Sequence, residues 1–277
     1  MGKWNGNIKF LEEHLLDPLH WKKPRRIFVN SMSDLFHENV TDEMRDKIFA
    51  VMATATHHDF QVLTKRPERM FEYLSASYRR HELQLAIDRI MPRGKLPKGF
   101  YAATDGTVKP HTSWPLPNVR LGVSVENQKA ADDRLDYLCE LASVGWKTMV
   151  SFEPLLSAVD PGPWWPSLGA STWAIVGGES GAGARPMHPD WARSLRDQCK
   201  AAGVPFFFKQ WGEWLPLSDY DPFVHGMKVD KYAHEFAWRA GAKNESELPL
   251  SCYRVGTKAA GCLLDGVEHH EFPAEVR

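Results

Sequence analysis

WAIVGGES, residues Trp173 to Ser180, decides the fold: four apolar residues run together, then give way to two glycines, a glutamate and a serine. A continuous apolar run is the mark of a parallel strand buried on both faces. The same form recurs along the chain. RRIFVNSMSDLFH (Arg25–His37) turns polar at Asn30, Ser31 and Asp34, and FQVLTKRP (Phe60–Pro67) ends in Thr64, Lys65 and Arg66. VRLGVSVEN (Val119–Asn127) ends in Ser124 and Glu126, TMVSFEP (Thr148–Pro154) in Ser151 and Glu153, and PFFFKQWGEW (Pro205–Trp214) in Lys209 and Gln210. Six parallel strands are predicted near residues 26–30, 60–64, 119–125, 147–152, 173–177 and 205–209. In α/β barrels the chemistry collects where such strands end, so one shared site is expected there.

Helix-like segments separate the strands. Thr41–Thr56 begins with Thr41 as an N-cap and places Met44, Ile48, Val51, Met52 and Ala55 on one face. RPERMFEYL follows the second strand, and Asn127–Gly145 closes on a glycine. MHPDWARSLRDQCKAAG carries Pro189 in its first turn, with His188 as its cap and Gly203 as its stop. This alternation argues for βα units with right-handed crossovers. Residues 75–113 fit no βα unit and carry a local charge of +4. They read as a basic insertion with a helix near His81–Met91, either a solvated surface excursion or a lip suited to nucleic acid. The stretch 215–277 reads as an irregular C-terminal extension, in which Gly261 and Asp265-Gly266 signal a short helix and a β-hairpin.

Composition sets bounds on the function classes. The 277 residues suit one large α/β domain, 43% of them are hydrophobic, and the formal net charge of −1 supplies no global field for nucleic acid. No apolar stretch approaches a membrane span of roughly 20 residues. MGKWNGNIKF has no apolar h-region, so a cytoplasmic location is expected. Cys139, Cys199, Cys252 and Cys262 form no C-x-x-C pair; Cys139 and Cys199 read as buried small hydrophobes. Trp164-Trp165 and Trp211/Trp214 read as core packing or as walls for a flat ligand.

Chemistry is sought among the strand ends. VGGESG is neither a Walker loop nor a dinucleotide fingerprint, and GESGAG does not match G-x-S-x-G. His37, His57, His58 and His188 form no H-x-H or H-E-x-x-H pair. Asp34, Glu126, Glu153 and Glu179 are strand-end carboxylates that cap, bind a ligand amine or a metal, or divide acid and base roles. Lys65, Arg66 and Lys209 neutralise them or hold an anionic ligand group.

Long motifs then become recognisable. LDPLHWKKPRRIFVNSMSDLFHENV, FQVLTKRPERM, LPNVRLGVSVEN, SFEPLLSAVD, WAIVGGESGAGARPMHPDWARSLRDQCKAAGVPFFFKQWGEW and VGTKAAGCLLDG together resemble the phage gp-thirty-seven/gp-sixty-eight family. These are phage and mobile-element proteins with a three-cysteine motif that look like radical S-adenosylmethionine enzymes. The resemblance spans nearly the whole chain apart from the basic insertion. It implies a partial (β/α) TIM-like barrel of about six parallel strands, with S-adenosylmethionine at their C-terminal ends and a [4Fe–4S] cluster on a cysteine loop. That loop lies upstream of the segment equivalent to KWNGNIKF, so the first strand and cluster loop are expected to be absent here. The cluster and reductive cleavage then belong to a longer form or need a partner polypeptide. The resemblance assigns Gly177, Gly178 and Glu179 to the methionine amine, and Ser124 and Glu126 to the ribose or carboxylate.

The leading expectation is a radical-SAM-like partial barrel acting in modification of nucleic acid or another macromolecule. Its ligand-binding set is Asn30, Asp34, Lys65, Ser124, Glu126, Glu153, Gly177, Gly178, Glu179 and Lys209. The rivals are a non-catalytic binding protein for nucleic acid or a partner protein, and a metal-independent enzyme using Asp34, Glu153 and Lys209 as acid–base groups.

Overall fold

A computed structural model describes residues 8–90, 113–216, 235–238 and 250–274. Two short helices, α1 (Glu12–Leu15) and α2 (Asp17–His20), precede β1 (Arg26–Val29), α3 (Asp42–Thr54), β2 (Asp59–Thr64), α4 (Pro67–Ser75) and α5 (Arg79–Ile90). Then follow β3 (Val119–Ser124), α6 (Gln128–Ser143), β4 (Lys147–Phe152), α7 (Trp165–Leu168), β5 (Trp173–Gly177), α8 (Pro189–Ala202) and β6 (Phe206–Gln210). The six expected strands are all present and lie in one sheet in the order β1-β2-β3-β4-β5-β6. The pairings β1–β2, β2–β3, β4–β5 and β5–β6 are parallel. Sequential order is the connectivity of (β/α) barrels; doubly wound sheets reverse theirs. No helix among the described residues is long and apolar enough to cross a membrane.

The chain forms two compact units, Met1–Val123 with Asp136–Thr148, and Ser124–Leu135 with Met149–Arg277. In the first, Thr41 caps α3 by accepting from the Met44 N–H, as its sequence position predicts. The core joins Phe49, Tyr73, Trp114 and Trp146, with the Trp114 and Trp146 rings edge to face at 4.9 Å. Of the residues read as a basic insertion, Arg80 and Arg89 are exposed, but Arg79 departs from that reading. The helix near His81–Met91 is α5, but Arg79 at its start is fully buried. Its guanidinium lies 3.8 Å from the Tyr73 ring centroid, donates to Asp46 at 2.7 Å and Asp42 at 3.0 Å, and donates to the Tyr73 carbonyl. Tyr73 completes the cluster by donating to Asp46 at 2.7 Å. A buried charge persists only when paired and hydrogen-bonded, so Arg79 anchors α5 to α3 and is not part of a solvent-facing lip. Residues 91–112 of that stretch lie outside the described residues.

At the start of the sheet, His58 fastens the N-terminal segment. Its Nδ1 accepts from the Arg25 N–H at 3.1 Å, and its Nε2 faces the Pro18 carbonyl at 2.9 Å, which requires the neutral Nε2–H tautomer. The neighbouring His57 ring lies 3.9 Å away and bonds the Trp21 carbonyl at 2.7 Å. Burial, then the charge of His57, lowers the His58 pKa from its ordinary 6.5. Residues 8–18 cover one face of β1 above an apolar cavity of about 270 Å³ that includes Ile27, Val29, Met44 and Phe60.

In the second unit, His188 caps α8 by accepting from Asp190, Pro189 sits in its first turn, and Gly203 ends it with φ of 67°. The C-terminal extension is ordered in its described parts. A three-stranded antiparallel sheet runs β7 (Trp214–Pro216), β9 (Leu250–Arg254), β8 (Glu235–Trp238). Then come α9 (Thr257–Ala260) and the predicted hairpin, β10 (Leu263–Leu264) and β11 (Val267–Glu268), turning at Asp265-Gly266. The chain next runs beside β6: the Phe208 N–H donates to the His269 carbonyl and the Glu271 N–H to the Phe206 carbonyl. An open strand edge invites foreign pairing; the chain covers this one itself. The tryptophans are core here: Trp211 is buried and donates to the Leu263 carbonyl, Trp165 packs on Phe152, and Trp214 donates to the Ala184 carbonyl.

Two outcomes are expected. Arg79→Met should cost about 3 kcal/mol, because it strands buried Asp46 and Tyr73 groups, whereas Arg80→Met at the exposed neighbouring position should stay within about 0.5 kcal/mol in denaturant titrations. For His58, the unfolded chain binds a proton below about pH 6.5 while the folded imidazole resists it. Stability should therefore fall as pH drops from 7 to 5.5, and His58→Gln should flatten that slope in thermal melts.

Candidate functional site

The ends of β4, β5 and β6 in the second unit carry the chemistry. Ser151 of β4 pairs with Ile175 of β5, and Glu153 follows the last residue of β4 as Gly177 ends β5. On β6 the register shifts. Val176 pairs with Phe208 but Gly177 pairs with Gln210, so Lys209 is an extra residue between them. Such a bulge re-aims a side chain and is common beside active sites. Lys209 Nζ thereby reaches Glu153 Oε1 at 3.0 Å, across the strand between them. Gly177 is what leaves the room: a Cβ there would stand 2.8 Å from Glu153 Oε1. Ser151 Oγ donates to the other carboxylate oxygen, Oε2, at 3.2 Å. Glu153 is 18% exposed and Lys209 54%.

The next glycine serves the backbone. A Cβ on Gly178 would stand 1.9 Å from the Trp211 carbonyl oxygen, and the Gly178 N–H donates to the Gln210 carbonyl. Glu179 is clasped by Arg185, which gives it Nε and Nη2 bonds at 2.8 Å each and a backbone N–H at 2.9 Å. Those bonds hold the Glu179 carboxyl below its ordinary range. The following loop is tied down as well. Glu213 accepts from the Gly181 N–H and Thr257 hydroxyl, and Arg254 donates to the Gly181 carbonyl. Ser180 accepts from Gln210 Nε2 at 3.0 Å.

Glu126 and Ser124 face inward toward α6. Both are buried, and Arg134 Nη1 donates to the Ser124 carbonyl at 2.6 Å and to Glu126 Oε2 at 2.9 Å. This fixes the start of α6 on the end of β3.

In the first unit, Asp34 is a clasp between two strand ends. Its oxygens accept from the Thr64 hydroxyl at 2.7 Å, the Phe36 N–H at 2.9 Å, Arg66 Nη1 at 2.9 Å and the Lys65 N–H at 3.3 Å. With four donors, Asp34 is occupied in holding β1 to β2. Asn30 turns the chain out of β1 with φ of 58°, a conformation that asparagine tolerates better than most residues, and Lys65 stays exposed.

Of the strand-end carboxylates, the Asp34, Glu126 and Glu179 groups are committed to internal donors. Whereas Asp34 accepts four donors, Glu179 three bonds from Arg185, and Glu126 lies buried against Arg134, Glu153 is held more lightly, by the Ser151 hydroxyl and the ammonium of half-exposed Lys209. An ion pair of that kind is worth about 0–1 kcal/mol, so a ligand can displace it at low cost. Together the pair offers an anion to an ammonium group and a cation to a carboxylate. Sequence reasoning missed the bulge, Arg185 and Arg134. The GESGAGAR run held a signal for Arg185, but a bulge leaves no mark in a run such as FFFKQ.

The cysteines do not fit an iron–sulfur cluster. Cys199 and Cys252 are buried and Cys139 is half-buried, and none is in a disulfide. Burial pushes the Cys139 and Cys199 thiols up to about 11 and about 12. Among the described residues no three His, Cys, Asp or Glu side chains are grouped to hold a metal ion.

Gly177→Ala should separate Glu153 from Lys209 with a stability change below about 1.5 kcal/mol, because the clash is with a flexible side chain. Gly178→Ala clashes with backbone and should cost about 3 kcal/mol in the same denaturation assay. Equal costs would contradict the distinct roles given to the two glycines.

Comparison with known families gave a match over residues 1–273 to the family described as "Protein of unknown function (DUF5131)". No curated protein and no solved structure matched the chain.

Proposed function

We propose that this chain, which belongs to the DUF5131 family, binds a small ligand bearing both an ammonium and a carboxylate at the ends of β4–β6. S-adenosylmethionine is the ligand that the motif resemblance to radical S-adenosylmethionine proteins suggests. The same phage-protein resemblance suggests modification of nucleic acid or another macromolecule, and nucleic acid is the target proposed. The observation that carries the reading is the Glu153–Lys209 pair, 3.0 Å apart over a glycine floor, half open to solvent. The ligand ammonium would replace Lys209 at Glu153, and the ligand carboxylate would engage the released Lys209. Ser151 keeps the Glu153 carboxylate oriented through its hydroxyl. Bound S-adenosylmethionine would supply an electrophilic sulfonium carbon. Because the described cysteines do not fit a cluster, no radical step is assigned to them.

The amine contact is proposed at Glu153 rather than at Glu179, where the resemblance assigns it. Glu179 already accepts three bonds from Arg185, and the Gly178 N–H is spent on β6. Glu153 is therefore the better partner for an ammonium. The hydrogen bonding also disfavours the acid–base enzyme built on Asp34, whose oxygens accept four donors.

Calorimetric titration separates these readings. S-adenosylmethionine should bind, with Glu153→Gln and Lys209→Met each weakening it about tenfold or more, as loss of a charge-assisted contact does. Methylthioadenosine, which lacks the amino-acid end, should bind equally to all three proteins. Wild-type affinity in both variants would remove Glu153 and Lys209 from the ligand site.

A further inference from the structure

Four cations fall within five residues at the end of the N-terminal segment: Lys22, Lys23, Arg25 and Arg26, with Pro24 between them. All five residues are exposed. On a chain whose formal net charge is −1, this is a strong local concentration of positive charge. In strand register Arg26 stands opposite Asp59 of β2, while nearby Asp17 is engaged by His14 at 3.1 Å.

The segment is also held rigidly. His58 accepts from the Arg25 backbone and bonds the Pro18 carbonyl, and His57 bonds the Trp21 carbonyl, so three backbone points are pinned to buried His58 and half-buried His57. The Arg25 guanidinium lies 4.4 Å from the Trp21 ring centroid, a cation–π contact that limits its freedom. A pre-ordered charge display loses less entropy on binding than mobile lysines do.

We propose that Lys22–Arg26 is a docking surface for the phosphate backbone of nucleic acid. The segment spans at most about 14 Å, which matches about four phosphates of one strand at their axial spacing. Contacts of this kind position the polymer and read no sequence. A lipid surface fits less well. Trp21 is covered on one face by Arg25 and flanked edge-on by His58 at 5.9 Å, and α2 has only four residues, so no amphipathic helix is present here to insert. The inference rests on the nucleic-acid part of the proposed function, and supplies the surface that the buried Arg79 does not.

The test is fluorescence anisotropy on the full chain with labelled single-stranded and duplex 30-nucleotide probes, from about 50 to 200 mM salt. Wild type should bind one or both probes, with affinity falling steeply as salt rises. Lys22→Ser/Lys23→Ser should weaken binding about fivefold or more at the lowest salt and flatten the log–log salt slope by about 2. The Lys22→Glu/Lys23→Glu variant should abolish binding, and Lys129→Ser on α6 should match wild type. Both lysines are exposed, so melting midpoints should stay unchanged. S-adenosylmethionine titrations should also be unaffected, which separates failure here from failure of the ligand site. The proposal is overturned if wild type binds neither probe, if the double variants bind as wild type does, or if anionic vesicles or polyglutamate bind more tightly than either probe.

Discussion

The candidate site depends on one missing side chain. Gly177 lies between Glu153 on β4 and Lys209 on β6, and any Cβ there would enter the space the Glu153 carboxylate occupies. The bulge on β6 is the second half of the same constraint, since regular pairing would direct the ladder past Lys209 instead of leaving it as an extra residue. Neither feature adds much stability. An open ion pair contributes little, and a bulge interrupts the ladder. A fold that keeps both, in a segment otherwise packed with Phe206, Phe208 and Trp211, keeps a half-buried carboxylate beside an exposed lysine that packing alone does not require.

The other strand-end charges show what structural use of the same residue types looks like. Asp34 collects four donors, Glu179 is held by three bonds from Arg185, and Glu126 shares Arg134 with the Ser124 carbonyl. Asp34 ties β1 to β2 and Glu126 ties the end of β3 to α6, while Glu179 and Arg185 close the loop that follows β5. Glu153 is held by fewer bonds than Asp34 or Glu179, from the Ser151 hydroxyl and the half-exposed Lys209.

Much of the fold was legible because buried parallel strands write themselves as apolar runs. IFV, FQVLT, VRLGVS, MVSF, WAIVG and FFFKQ each became a strand within a residue or two of the expected bounds. Caps and stops at Thr41, His188 and Gly203 were legible for the same local reason. Partners distant in sequence were not. Arg79 looks like one of seven cations in a basic stretch, and only the packing of α5 on α3 brings it to Asp42 and Asp46. The strand-end acids looked alike in sequence because exposure and donor count, which distinguish Glu153 from Asp34, arise only when strand ends are set side by side.

The most direct measurement is a crystal structure of the chain with S-adenosylmethionine bound. The account predicts that the Glu153–Lys209 contact opens, with the ligand ammonium on the Glu153 carboxylate, the ligand carboxylate on Lys209, and Asp34 and Glu179 unchanged in their donors. Ligand density elsewhere, with Glu153 and Lys209 still 3.0 Å apart, would contradict it.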